Sequence, residues 1–109
     1  MNDIDLIIKE LLKFRDERDW EQFHNPKDLA IALNIESGEL LEAYLWKSPD
    51  MVDKEKIKEE LADVFTYAFY LAEKYNFDVK EIVLEKVKIN SQKYPIEKSK
   101  GNAKKHTEL

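Results

Sequence analysis

The sequence predicts an all-α fold, namely a four-helix bundle that assembles as a dimer or a dimer of dimers. Apolar residues recur at helical spacing along most of the chain, and no segment shows the apolar–polar alternation of a strand. Only two glycines and three prolines occur, while charged residues make up 38% of the chain, a composition that favours helices. Because 109 residues form only one small core, we expect oligomerisation to add stability.

The first two helices are separated by the segment DWEQFHNP, which interrupts the helical periodicity. The apolar pattern predicts the first helix from about Asp3 to Arg18. Pro26 suits the first position of the second helix, with Asn25 as its cap. That helix is expected to end near Trp46, because KSPDM follows and is typical of a turn.

Two further helices follow at similar spacing. The third is predicted from about Asp53 to Tyr75, and Asp78 is a suitable cap for the fourth, VKEIVLEKVKINSQKY. Pro95 ends the fourth helix. We therefore predict one all-α domain over residues 1–95, followed by a basic tail over residues 96–109.

Charge and composition exclude several classes of protein. The formal net charge is −5, which disfavours a nucleic-acid binder because such proteins carry a basic face. There is no cysteine, so disulfides and cysteine-based zinc sites are impossible. No apolar run has membrane-spanning length, and the residues after Met1 do not resemble a signal peptide. We expect a cytoplasmic protein without a membrane partner.

The stretch IESGELLEAYLW places acidic residues on the apolar side of the second helix. Glu36 shares helical neighbours with Ala32, Leu33 and Leu40, and Glu39 has a similar setting. A buried charge without a partner is costly, so these carboxylates require a cation. Gly38, unfavourable within a helix, predicts a close approach by backbone or ligand.

The third helix carries a matching pair in EELADVFTY. Glu60 and Asp63 stand three residues apart among apolar neighbours, and a short turn joins the two helices, so an antiparallel hairpin brings both pairs face to face. Such clusters of oxygen ligands bind hard cations, here Mg²⁺ or alternatively Mn²⁺. Acidic pairs at this spacing are also common on solvated faces, and the apolar surroundings of all four acids favour the metal site.

These motifs resemble a known superfamily. Glu-x-x-Glu followed by Glu-x-x-Asp on the next helix is similar to the all-α nucleoside triphosphate pyrophosphohydrolases of the MazG type. The segments RDERDWEQFHNPKDLAIAL, GELLEAYLWK, EELADVFTYAFYLA, KVKINSQKYP and KHTEL resemble the dCTP pyrophosphatase branch. Leu11 departs from that branch, because its animal members carry a histidine there.

The resemblance implies Mg²⁺-dependent hydrolysis of a nucleoside triphosphate, dCTP or a modified pyrimidine deoxynucleotide, to the monophosphate and pyrophosphate. It implies metal and catalytic roles for Glu36, Glu39, Glu60 and Asp63, with Glu39 as the candidate general base. It implies substrate binding by a larger set, namely Trp20, His24, Trp46, Lys56, Tyr67, Lys86, Asn90, Lys93 and Tyr94. Trp20 and Trp46 would stack on the base, and Tyr67 would contact the sugar.

Several of these residues also have structural alternatives. The alternative role of the two tryptophans and Tyr67 is packing, although base stacking is favoured for the tryptophans. Lys56 could pair with Glu60 or be a plain surface lysine. Asn90 lies on the apolar side of the fourth helix, where a buried amide needs partners such as a phosphate or a metal-bound water.

Two other functions remain open. The resemblance to the superfamily also leaves open another phosphorylated nucleotide, such as phosphoribosyl-ATP, as the substrate. A non-enzymatic dimerisation module would instead explain the apolar segment YAFYLAEKY. We expect a homo-oligomer, a tetramer built from dimers, because Phe65, Phe69, Tyr70 and Leu71 offer more apolar surface than four helices can bury. Pyrophosphate release from a nucleotide panel, with and without Mg²⁺, discriminates between these functions.

Overall fold

The computed structural model describes residues 1–109 and contains helices joined by turns and loops, with no β-strand. Its long helices are α1 (Asp3–Glu17), α2 (Pro26–Glu42), α3 (Lys54–Lys74) and α4 (Val79–Lys93), followed by the short α5 (Ile96–Ser99). Single 3₁₀ turns occupy Glu21–Phe23, Pro49–Met51 and His106–Glu108. The predicted all-α fold with four long helices is confirmed. No helix combines the length and apolarity needed to cross a membrane.

Side chains cap the start of every long helix. The Asn25 carboxamide oxygen accepts the Asp28 backbone N–H at 2.9 Å, and Pro26 occupies the first turn. The Asp78 carboxylate accepts the Glu81 N–H at 2.9 Å. Both caps were predicted, because short acceptor side chains satisfy the free N–H groups of a first turn.

The end of α2 differs from the prediction. The helix stops at Glu42, four residues before Trp46. The Leu45 N–H donates to the Glu42 carbonyl and the Lys47 N–H to the Tyr44 carbonyl, which are the tight i→i+3 bonds of turns. Trp46 adopts φ 64°, a left-handed conformation that cannot continue an α-helix.

The chain divides into two compact units, Met1–Phe77 and Asp78–Leu109. In the first unit, α3 packs against both α1 and α2. Its apolar interior is small, because only Leu29, Tyr70 and Ala72 are buried.

Tyr70 was expected on an exposed apolar face, and that part of the prediction is wrong. It is 4% exposed, and its hydroxyl donates to the Leu11 carbonyl at 2.8 Å. This bond supplies the partner that a buried phenol needs.

The second unit consists of α4, α5 and the C-terminal residues. Every residue from Lys80 to Tyr94 is exposed, including the apolar side chains of Ile82, Val83, Leu84, Val87 and Ile89. The Tyr94 and His106 rings meet edge to face, 5.8 Å apart, which ties the end of the chain to the end of α4. The predicted boundary at residue 95 stays a prediction.

Candidate metal and nucleotide site

Three acidic side chains from α2 and α3 converge in the first unit. One carboxylate oxygen from each of Glu36, Glu60 and Asp63 lies within 4.8 Å of the others. The packing of α3 on α2 brings the two acidic motifs together, as the hairpin argument expected. Such a set of oxygen atoms suits a hard divalent cation.

The surroundings of these acids are unequal. Glu60 is 5% exposed, Glu36 and Glu39 are half-buried, and Asp63 is exposed. Asp63 is therefore the least buried of the four acids, although the sequence places it among apolar neighbours. One oxygen of Glu36 (Oε2) and one of Glu60 (Oε2) are buried without any hydrogen-bond partner. Such orphaned acceptors are costly unless a cation or water reaches them.

The electrostatics of these acids also favour a bound cation. Burial, followed by the Glu39 carboxyl and the charges of Asp63 and Glu60, raises the pKa of Glu36 to about 7. Lys56 has the opposite effect on its neighbour, because its ammonium lies 2.7 Å from the Glu60 Oε1 atom and lowers the pKa of that carboxyl. The cluster thus holds more negative charge than its own groups neutralise.

Glu39 stands beside this triplet, in a polar cleft. The cleft has a volume of about 490 Å³ and is lined by Glu39, Glu42, Ala43, Lys47, Lys56 and Glu60. It therefore places two lysines next to the acidic cluster. Lys56 was a predicted substrate contact, whereas Lys47 was missed, because a lysine in the turn KSPDM carries no sequence pattern that indicates a site.

An apolar pocket of about 260 Å³ includes Asp63 in its lining. Its lining consists of Leu11, Phe14, Trp20, His24, Asp63, Thr66, Tyr67 and Tyr70. The structure thus brings together three of the predicted substrate-binding residues, Trp20, His24 and Tyr67. Thr66 was missed, although its position three residues after Asp63 places it on the same helix face.

Aromatic contacts shape this pocket. Trp20 meets Phe14 edge to face with ring centroids 5.6 Å apart, and the His24 ring lies 4.8 Å from the Tyr70 ring. Burial, and then the positive charges of Arg15 and Lys74, lowers the pKa of His24. The lowered pKa favours the neutral form of the His24 imidazole, whose buried Nδ1 atom has no hydrogen-bond partner.

A buried arginine fixes the segment that carries Trp20 and His24. The Arg15 side chain is 6% exposed and pairs with Asp16 at 2.8 Å, Glu73 at 3.4 Å and Glu21 at 3.5 Å. Its carbonyl also accepts the Trp20 backbone N–H at 3.0 Å. Arg15 thereby joins the end of α1, the 3₁₀ turn and the end of α3. The sequence shows this arginine among many charges, with nothing that marks it as buried.

The remaining predicted residues are not among those that line the cleft or the pocket. Trp46 is 100% exposed and lines neither the cleft nor the pocket. Lys86, Asn90, Lys93 and Tyr94 belong to the second unit and are exposed. Asn90 was predicted on a buried apolar side, and this is wrong because α4 has no buried side chain.

Gly38 does not have the predicted close neighbour. A Cβ atom at this position would meet nothing within 4 Å, so no other part of this chain approaches it. The prediction therefore fails for this chain's backbone. It stays open for a ligand or a second copy.

The chain is similar to several known proteins. Residues 31–109 match the model of the MazG-like family. The chain is 40% identical to dCTP pyrophosphatase 1 of Mus musculus and 38% identical to that of Homo sapiens, in each case over 89% of this chain. It spans 62% of the length of these relatives. A crystal structure of a pyrophosphatase from Archaeoglobus fulgidus superposes with a TM-score of 0.81 at 34% identity, covering 87% of this chain and 94% of that one.

Proposed function

This chain belongs to the MazG-like family, and we propose that it is a metal-dependent nucleoside triphosphate pyrophosphohydrolase. Its substrate is dCTP or a modified pyrimidine deoxynucleotide, and its products are the monophosphate and pyrophosphate. The observation that carries this proposal is the convergence of Glu36, Glu60 and Asp63 within 4.8 Å. The dCTP pyrophosphatases to which the chain is similar support the substrate class.

The donor atoms fit Mg²⁺, with Mn²⁺ as the alternative. All of them are carboxylate oxygens, and the orphaned Oε2 atoms of Glu36 and Glu60 are buried acceptors that a cation would satisfy. We assign these two residues and Asp63 as ligands, with Glu39 as the fourth acid beside them. When bound, such an ion lowers the pKa of coordinated water and neutralises charge on phosphoryl oxygens.

The residues shared by the pocket, the acidic cluster and the cleft support the binding of a nucleotide. Asp63 lines the apolar pocket and also belongs to the acidic cluster, while Glu60 belongs to the cluster and lines the lysine-bearing cleft. A base in the pocket would therefore leave its phosphates at the acids. Glu39, half-buried at the edge of the cleft, is the candidate to take the proton of the attacking water.

The pocket suits a single flat ring. Its 260 Å³ lies below the roughly 300–1,000 Å³ of sites for drug-sized ligands. Trp20 and Phe14 offer aromatic faces for stacking, and neutral His24 offers a hydrogen bond to the edge of the base. Leu11 lines the pocket with an apolar side chain that offers no hydrogen bond to the base. We therefore propose that selectivity for the base depends on shape and stacking. Tyr67 stays our proposed contact to the sugar.

We further propose that the active form is a homo-oligomer, a tetramer built from dimers. Three buried apolar residues are too few to stabilise 109 residues alone. A surface groove of about 400 Å³, lined by Ile7, Ala62, Phe65, Thr66 and Phe69, is almost wholly apolar, and such surfaces mark subunit contacts. Trp46, 100% exposed, would then contribute to the site of a neighbouring copy. A cytoplasmic location stays a prediction.

The test is product analysis on a nucleotide panel. dCTP, 5-substituted dCTP, dTTP, dATP, CTP and phosphoribosyl-ATP are incubated with the protein in Mg²⁺ and in EDTA, and the products are separated by ion exchange. We expect monophosphate and pyrophosphate only in Mg²⁺, with a pyrimidine deoxynucleotide cleaved fastest. Orthophosphate as the first product, or turnover in EDTA, would contradict the proposal. Cleavage of phosphoribosyl-ATP alone would reassign the substrate.

A further inference from the structure

The contact between Lys56 and Glu60 is the shortest ion pair of the chain. The Lys56 ammonium lies 2.7 Å from Glu60 Oε1, and the two side chains are 53% and 7% exposed. The other oxygen, Oε2, is buried without a partner. The lysine thus holds one oxygen of the carboxylate, while the other oxygen has no hydrogen-bond partner.

This inference rests on the function proposed above. We propose that Lys56 is an internal counter-ion, which neutralises Glu60 in the metal-free protein, competes with the metal for that carboxylate, and contacts substrate phosphate when metal is bound. Lys56 would therefore weaken metal binding, while it stabilises the metal-free site and provides a contact for the phosphate.

The competition follows from charge and distance. Glu60 lies within 4.8 Å, oxygen to oxygen, of Glu36 and Asp63, so the metal-free cluster is strongly repulsive and Lys56 relieves part of that repulsion. A divalent cation bound among these oxygens would repel the Lys56 ammonium that contacts Glu60. Metal binding therefore works against the ion pair, and removing the lysine charge favours the metal.

The position of Lys56 allows it to exchange partners. Its side chain is 53% exposed and lines the polar cleft of about 490 Å³ together with Lys47. Lysine is a compact charge on a flexible stem, so leaving Glu60 requires only a rotamer change into this cleft. A triphosphate whose base occupies the apolar pocket would direct its phosphates toward these lysines.

The test compares Lys56→Gln with Lys58→Gln. Both variants remove one positive charge from α3, but Lys58 is exposed and takes part in none of the ion pairs. Binding of Mn²⁺ is measured without nucleotide by electron paramagnetic resonance. Binding of a non-hydrolysable dCTP analogue is then measured in saturating Mn²⁺ by calorimetry, and circular dichroism verifies that both variants are folded.

We expect Lys56→Gln to bind Mn²⁺ about 2- to 5-fold more tightly than Lys58→Gln, the range typical of a partly exposed ion pair. We also expect it to bind the nucleotide several-fold more weakly and to melt at a lower temperature in EDTA. Equal or weaker Mn²⁺ binding by Lys56→Gln would overturn the counter-ion, while the proposed function would stand. A wild-type protein that binds no Mn²⁺ would overturn both.

Discussion

Replacement of Arg15 by methionine tests how the pocket is held together. The arginine side chain is 6% exposed and contacts carboxylates of Asp16, Glu21 and Glu73, which are 55%, 58% and 31% exposed. Breaking a buried ion pair costs about 3–5 kcal/mol. Because these carboxylates are partly exposed and regain water, and methionine keeps the apolar stem, we expect a loss of about 2–3 kcal/mol in the free energy of unfolding.

Arg18→Met is the matched control. Arg18 is exposed, and its guanidinium lies 3.8 Å from the centre of the Phe14 ring, a contact worth about 0.5–1 kcal/mol at the surface. Both variants are unfolded in urea at one protein concentration, because unfolding of an oligomer depends on concentration. A free energy of unfolding for Arg15→Met that equals or exceeds that of Arg18→Met would refute the proposed role of Arg15.

Three further predictions concern assembly, the base and pH. Sedimentation at micromolar concentration is expected to show an oligomer, and a stable folded monomer of 13.0 kDa would refute the assembly. Trp46→Ala is expected to raise the KM more than it lowers the kcat, because stacking contributes about 1–3 kcal/mol per base. It is also expected to remove much of the quenching of tryptophan fluorescence that dCTP causes in the presence of Ca²⁺. Normal nucleotide binding by both Trp46→Ala and Trp20→Ala would contradict this prediction. Folding raises the pKa of Glu36 from about 4.5 to about 7, so the unfolded chain loses the Glu36 proton at a lower pH than the folded protein does. The metal-free protein is therefore expected to lose stability as the pH rises from about 4.5 to about 7. Thermal melts in EDTA measure this loss, which Glu36→Gln is expected to reduce; an equal loss in both proteins would count against the raised pKa.

The fold was largely predictable because it depends on local patterns. Apolar periodicity and the caps Asn25 and Asp78 define where helices begin, and these are properties of neighbouring residues. The end of α2 was not predictable in this way. Trp46 takes a left-handed conformation, which is uncommon for a large side chain and is not indicated by the residues around it.

The acidic cluster could also be predicted from the sequence, whereas the burial of its members and the resulting pKa shifts could not. The spacing of Glu36 on α2 and of Glu60 and Asp63 on α3 predicts one shared face. Which acid is buried depends on tertiary packing, so the exposure of Asp63 could not be foreseen. The burial of Arg15 has the same cause, because its partner Glu73 is 58 residues away in the chain.

The apolar face of α4 is not buried within this chain. Periodicity predicts a buried face on α4, yet Val83, Leu84 and Val87 are 53%, 57% and 55% exposed. An apolar stripe shows that a helix tends to pack, and it does not show whether the partner belongs to the same chain. In the proposed oligomer, a second copy of the chain would supply the packing partner that this face lacks.

The central claim is that the acids of α2 and α3 bind the metal that drives pyrophosphate release. The most direct measurement follows Mn²⁺ binding and pyrophosphate release in parallel for Glu60→Gln and Glu59→Gln. These neighbours carry the same charge, but Glu60 is buried in the cluster and Glu59 is exposed. We predict that Glu60→Gln loses both activities while keeping its helical circular dichroism, and that Glu59→Gln keeps both. Near-normal metal binding and turnover in Glu60→Gln would contradict the claim.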